Sequence, residues 1–145
     1  MSHVREILLS KGPQVWTIHL KATVLEAASL MNKHKIGALV VTEDGQVLGM
    51  FTERDVLQRV VAKQREPANT KVVDVMTTEV VCCSPDTKLD EARGAMKNRR
   101  IRHLPVVGED GKLLGLISIG DLNAQAQAEN ELTIFLLDEY IHGRT

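Results

Sequence analysis

Two carboxylates stand at the same place in the same short phrase of this chain. Asp55 closes Gly49-Met50-Phe51-Thr52-Glu53-Arg54-Asp55, and Asp121 closes Gly115-Leu116-Ile117-Ser118-Ile119-Gly120-Asp121. A hydroxyl residue three positions before an acid, at the end of an apolar run, matches an N-terminal capping box, and capping alone would account for the pair. The context allows more. A helix N-terminus offers unpaired N–H groups to a phosphate, a carboxylate beside it can accept both hydroxyls of a ribose, and Thr52 or Ser118 adds a donor. Together these groups describe a nucleotide cleft without a catalytic group. Phosphates need cations: Arg100, Arg102 and His103 cluster on one stretch, and Arg54 precedes Asp55. Arginine suits phosphate because its planar fork gives two parallel hydrogen bonds.

Catalysis finds little support in the same residues. There is no Walker-type loop with its Lys, no nucleophile–base pair, and no metal-ligand spacing among the five histidines (His3, His19, His34, His103, His142) and two cysteines. Cys82 and Cys83 are adjacent on a predicted strand, where neighbours point to opposite faces, so they make a poor disulfide and a poor chelate. They read as strand residues, at least one of them buried. The sequence describes a binding module and not an enzyme.

The elements that must position the two acids are themselves duplicated. Asp55 and Asp121 lie 66 positions apart in 145 residues, so about half the chain is one repeat. Val15 to Ile18 predicts a short strand, and Thr23-Val24-Leu25-Glu26 is a capping box opening a helix with Val24, Ala28 and Met31 on its buried face. A strand through Ala38 to Val41, an Asp44-Gly45 turn and a strand Val47 to Phe51 form a hairpin, and a helix runs from Asp55 to about Ala62. The second half repeats the order: a strand Val80 to Cys83, a helix from Thr87 with Leu89, Ala92 and Met96 inward, a hairpin from Ile101 to Ile117, and a helix from Asp121. A helix Val4 to Ser10 leads into the first half and Val72 to Thr77 into the second. The plan is mixed α/β (α+β), two strand–helix–strand–strand–helix units that bury their apolar faces together.

Composition limits the partners. Net charge is −1 with 43% apolar and 26% charged residues, so no basic field points to nucleic acid and no polybasic stretch to a membrane surface. Apolar runs are far too short to span a bilayer, and the N-terminus lacks the plan of a signal peptide, which predicts a cytoplasmic protein.

The paired pattern resembles the cystathionine-β-synthase (CBS) domain, and the chain as a whole resembles a tandem CBS pair, or Bateman module. Val73-Asp74-Val75-Met76-Thr77, Arg100-Ile101-Arg102-His103-Leu104-Pro105-Val106-Val107 and the two Gly-to-Asp phrases carry the resemblance, over about residues 4–125. It implies two βαββα repeats about a pseudo-two-fold axis with two clefts between their sheets, and adenine-nucleotide ligands: AMP, ADP, ATP, S-adenosylmethionine or NAD(H). By the same resemblance Asp55 and Asp121 hold ribose hydroxyls, and Thr52 and Ser118 contact ribose or phosphate. The backbone at Ile36-Gly37-Ala38 and at Ile101-Arg102-His103 reads the adenine edge, with Arg100 and Arg54 as further phosphate donors. Trp16 and Val81, on the opening strands, complete the candidate ligand-binding set; Trp16 reads equally well as core. In some family members each cleft pairs the acid of one half with the adenine-reading backbone of the other, which would group Asp121 with Ile36 to Ala38 and Asp55 with Ile101 to His103. Because Lys35 and Gly37 stand where the second half has Arg100 and Arg102, the two clefts should differ.

The predicted organisation is repeat 1 with its lead-in at 1–63, a connector at 64–71, repeat 2 at 72–128 and a helical tail at 129–145. The tail has no counterpart in the first half; Leu132, Phe135, Leu136 and Tyr140 could line one face of a helix, against the module or against a partner. The expected function is a ligand sensor that shifts shape on binding an adenylate and signals to a regulated protein, as a homodimer by family resemblance. The alternative is a scaffold whose clefts are vestigial and whose tail helix does the binding.

Overall fold

A computed structural model describes residues 2–12 and 14–141; Met1, Pro13 and residues 142–145, His142 among them, lie outside the described residues. The first half holds β1 (Thr17–His19), α2 (Val24–His34), β2 (Ala38–Glu43), β3 (Gln46–Thr52) and α3 (Glu53–Asp55), preceded by α1 (Val4–Lys11). Its sheet runs β1-β2-β3, with β1 parallel to β2 and β2 antiparallel to β3. After α4 (Val72–Val75), the second half holds α5 (Leu89–Arg99), β4 (His103–Val107), β5 (Leu113–Ser118) and α6 (Ile119–Ile141).

Strand periodicity decides which residues meet which layer. On β2, Leu39 and Val41 join Phe51 of β3 beneath Val24, Ala27 and Met31 of α2. The alternate residues Ala38 and Val40, with Met50, meet Leu113 and Leu116 of β5 instead, and this third cluster glues the two halves sheet to sheet. In the second half Leu104, Val106 and Ile117 lie under Ala92 and Met96 of α5 and Leu122 of α6. On α2 the buried stripe runs through Ala27 rather than the expected Ala28, which is half-buried. The hairpin turns also touch, Leu113 N–H donating to Gly45 O at 3.1 Å.

The lead-ins cross over. Val4 and Ile7 of α1 are buried in the core of the second half, while Val72 and Val75 of α4, with Met76, are buried in the core of the first. Val4 N–H donates to Thr87 O at 2.9 Å, and Val72 N–H to Ala22 O at 2.8 Å. This crossing explains the glycine that opens each repeated phrase. A Cβ on Gly49 would lie 2.8 Å from both Thr77 O and Met76 Sδ, and one on Gly115 would lie 2.6 Å from Leu8 Cδ2.

Three elements depart from the sequence reading. The strand expected over Val80 to Cys83 reduces to one parallel bridge, Cys83 to Val106. In the first sheet Val40 N–H donates to Trp16 O at 3.4 Å. By strand register Pro105 stands where Val40 does, and without an N–H it cannot donate to Val81 O, so the ladder stops. Cys82 is exposed and Cys83 half-buried against the second core, so neither cysteine is fully buried. The helix from Asp55 begins as three α-helical residues, Glu53–Asp55 (α3), and continues as a π-helix, Val56–Val61. Finally, the tail is no separate element: α6 runs unbroken for 23 residues to Ile141. Leu132, Phe135, Leu136 and Tyr140 are each more than half exposed, so they bury no face against their own module. Among the described residues no helix is long and apolar enough to cross a membrane.

Candidate functional site

A cleft of about 440 Å³ opens between the halves. Its floor and one wall come from the first half, as Val15 and Trp16 ahead of β1 and Lys35 to Ala38 between α2 and β2. The second half contributes His103 at the start of β4 and Leu116 and Ser118 on β5; Lys11 and Gln14 close the side. Ile36, Gly37 and Ala38 thus share the cleft with Ser118 across the interface, while Asp121 is not among the lining residues.

The backbone that the resemblance assigns to the adenine edge is held alike in both halves. Lys35 and Arg100 end their helices in the left-handed conformation, both at φ 55°. Ile36 N–H then donates to Met31 O and Ile101 N–H to Met96 O, each at 3.0 Å. Gly37 O accepts from Glu53 N–H at 3.1 Å, and Arg102 O from Ile119 N–H at 2.9 Å. Each of these loops is therefore tied to the first residue of its own half's capped helix.

Both acids cap, but their surroundings differ. Asp121 Oδ2 accepts from Ser118 N–H at 2.8 Å, and Asp121 N–H donates to Ser118 Oγ at 3.1 Å. The same Oδ2 takes the Lys11 ammonium at 2.9 Å, with about a quarter of the Asp121 side chain still exposed. Lys11 also donates to Leu116 O at 2.6 Å. Asp55, in contrast, is only 4% exposed. Its Oδ2 accepts from Thr52 N–H at 3.0 Å and Thr52 Oγ at 3.3 Å. Its Oδ1 accepts from Thr77 Oγ at 3.0 Å and lies 3.6 Å from Arg59 Nε. Arg59 is itself anchored on Met76 O at 2.8 Å. Asp55 is a buried, fully partnered cap, whereas Asp121 borders open space.

The remaining candidates separate by position. Trp16 lines the cleft and also packs on the first core, with the His34 ring stacked on it at 3.5 Å between centroids. His103 faces the cleft, and burial, followed by the Lys11 charge, lowers its pKa below the ordinary 6.5. Arg54, Arg100 and Arg102 are exposed and do not line this cleft. Val81 and Ile101 are half-buried and pack on the second core. Lys11 and Gln14 escaped the sequence reading. The lead-ins align at an offset of 68, Val4 with Val72 and Ile7 with Val75, and not at the 66 that separates the two acids, so their alignment does not pair Lys11 with Thr77 and the repeat carried no signal for it.

Comparison with known proteins agrees with this arrangement. The CBS domain family model matches twice, at residues 4–62 and 72–125. The CBS domain-containing protein YhcV of Bacillus subtilis is 40% identical over 131 residues, covering 90% of this chain and 89% of its own. A crystal structure from Burkholderia ambifaria MC40-6, described as a candidate signal-transduction protein with CBS domains, superposes with TM-score 0.83 at 38% identity, covering 88% of this chain and 95% of that one. The CBS domain pair of protein MJ0100, solved in complex with 5′-methylthioadenosine and S-adenosylmethionine, shares the fold at TM-score 0.79 and 22% identity, covering 89% of this chain and 98% of its own. Matched by the family model over both halves and 40% identical to a relative along nine-tenths of its length, this chain belongs to the CBS-domain family, as a protein carrying a CBS pair.

Proposed function

We propose that this chain is an adenylate-sensing regulatory module with one open site, the cleft bounded by Ile36 to Ala38 and the Ser118–Asp121 phrase. One observation carries the reading: the Ile36 to Ala38 loop from one half and Ser118 and Lys11, both hydrogen-bonded to the Asp121 carboxylate or its backbone, line a single cavity of about 440 Å³. Asp121 supplies the ribose acceptor, Ser118 a hydroxyl, the loop backbone the base edge, and Trp16 an apolar wall. The complex of the MJ0100 pair with adenosine-type ligands supports the ligand class; for this chain we name AMP, ADP, ATP or NAD(H). Because the cleft is made by both halves, and α1 crosses from one to the other beside it, a ligand that binds one relative setting of the halves better biases that setting. A regulated protein, or a second copy in a homodimer, reads the change. Turnover is not part of the proposal.

Titration calorimetry of the purified chain with AMP, ATP, NAD+, NADH and S-adenosylmethionine tests this. One ligand per chain, at micromolar or tighter Kd, is expected; binding of two per chain, or of none, overturns it. A second reading has its own observation: Leu132, Ile134, Phe135, Leu136 and Leu137 of the tail are all more than half exposed, as a scaffold helix would be. Absent adenylate binding, together with a partner lost on removing residues 129–145, selects that reading.

A further inference from the structure

The charges that line the cleft are positive. Lys11 and Lys35 stand on its wall beside His103, and among the described residues no Asp or Glu does. Asp121 lies behind Lys11, and Glu53 is turned onto Gly37, its carboxylate 3.2 to 3.4 Å from where a Cβ would be. We propose that Lys11 sets the charge class of the ligand: the cleft takes adenylates with an anionic group on the ribose 5′ carbon and rejects S-adenosylmethionine, whose sulfonium puts a positive charge at that carbon. The proposal rests on the adenylate reading given above.

Three observations support it. An ammonium has three donors; Lys11 commits two, to Leu116 O and Asp121 Oδ2, and its side chain stays 37% exposed at the cleft. One donor therefore remains for a ligand. The carboxylate that anchors Lys11 is also the one assigned to the ribose hydroxyls, so the ammonium is kept beside the sugar and within reach of what the sugar carries. Lastly, only in this half does the acid's cation come from the lead-in and reach the cleft. The corresponding lead-in contact with Asp55 is a neutral hydroxyl, Thr77, and the cation beside Asp55 is Arg59 of the following helix, held on Met76 O.

Calorimetry on the full chain with AMP, adenosine and S-adenosylmethionine, for the wild type, Lys11→Met and Lys11→Arg, tests the proposal. In the wild type AMP should bind roughly ten-fold or more tighter than adenosine, the range of one charge-assisted hydrogen bond. Lys11→Met keeps the aliphatic stem; it should lose most of that preference, leave adenosine within about two-fold, and gain affinity for S-adenosylmethionine, while Lys11→Arg restores the preference for AMP. Thermal unfolding of each variant checks that the fold survives. Equal losses for all three ligands in Lys11→Met, or a wild type that binds AMP and adenosine alike, overturn the role of Lys11 and leave the adenylate site standing. A wild type that binds none of the three, and neither ATP nor NAD(H), overturns the adenylate site itself, and the role of Lys11 with it; one that binds ATP or NAD(H) but not AMP overturns the role of Lys11 alone.

Discussion

Lys11 and Thr77 make equivalent contacts in the two halves, each with the acid of the half its lead-in packs on. Lys11 Nζ donates to Leu116 O at 2.6 Å and to Asp121 at 2.9 Å. Thr77 meets the matching carbonyl, Met50 O, through its backbone N–H at 2.9 Å, and Asp55 through its hydroxyl at 3.0 Å. Over Asp55 a short hydroxyl and Arg59 close together and bury the acid, whereas Asp121 meets the end of a long lysine and stays about a quarter exposed.

The two phrase-opening glycines should not be equally sensitive. A Cβ on Gly49 meets the Thr77 carbonyl, which is backbone and cannot swing aside, whereas one on Gly115 meets the end of the half-buried Leu8 side chain. Gly49→Ala is expected to cost about 2–3 kcal/mol, in the range for overpacking, and Gly115→Ala about 1 kcal/mol or less. Urea unfolding of the two variants measures both; equal costs would contradict the crossing as drawn.

Acid should weaken the fold through His103. Its folded-state pKa lies below the ordinary 6.5, because burial and then the Lys11 charge oppose protonation more than Asp121 and Glu53 favour it. Above pH 6.5 the ring is neutral folded or unfolded and contributes nothing to the pH dependence. As pH falls from about 6.5 toward the folded pKa, the unfolded chain takes up the proton first, so stability declines across that window and then levels off. The melting temperature of wild type minus that of His103→Gln should be flat above pH 7 and fall below pH 6.5. A difference that stays flat to pH 5 would contradict the assignment.

The thiols should be distinguishable by rate. Burial, with the neighbouring Cys82, pushes the Cys83 pKa up to about 12, and burial raises that of Cys82 less far. Since the thiolate is the nucleophile, a disulfide reagent at pH 8 should label exposed Cys82 in the native protein and leave Cys83 until unfolding. Cys82→Ser should then show almost no native labelling.

Much of the fold was legible because the chain says it twice. The Gly-to-Asp phrases, the Asp-Gly turns and the apolar alternation of Ala38 to Val41 located both hairpins and both caps. What escaped notice depends on contacts between distant segments. Nothing local to Val72 or Val4 says that each is buried in the other half's core, since an apolar lead-in fits either. The burial of Asp55 depends on Thr77 and Arg59 closing over it, 22 and 4 positions away. The loss of the Val80 to Cys83 strand was readable, because Pro105 sits on the neighbouring strand without a donor.

The most direct test of a single open site compares Asp55→Ala with Asp121→Ala by calorimetry and by urea unfolding, using whichever adenylate the wild type binds. Asp121→Ala is expected to weaken binding roughly ten- to a hundred-fold, as the loss of a ribose-binding carboxylate should, with stability down by about 1 kcal/mol for the lost cap. Asp55→Ala should do the reverse, costing about 2–3 kcal/mol of stability for a buried and fully partnered carboxylate while the affinity of the folded protein stays within about two-fold. If Asp55→Ala abolishes binding and Asp121→Ala does not, the open cleft is not the ligand site.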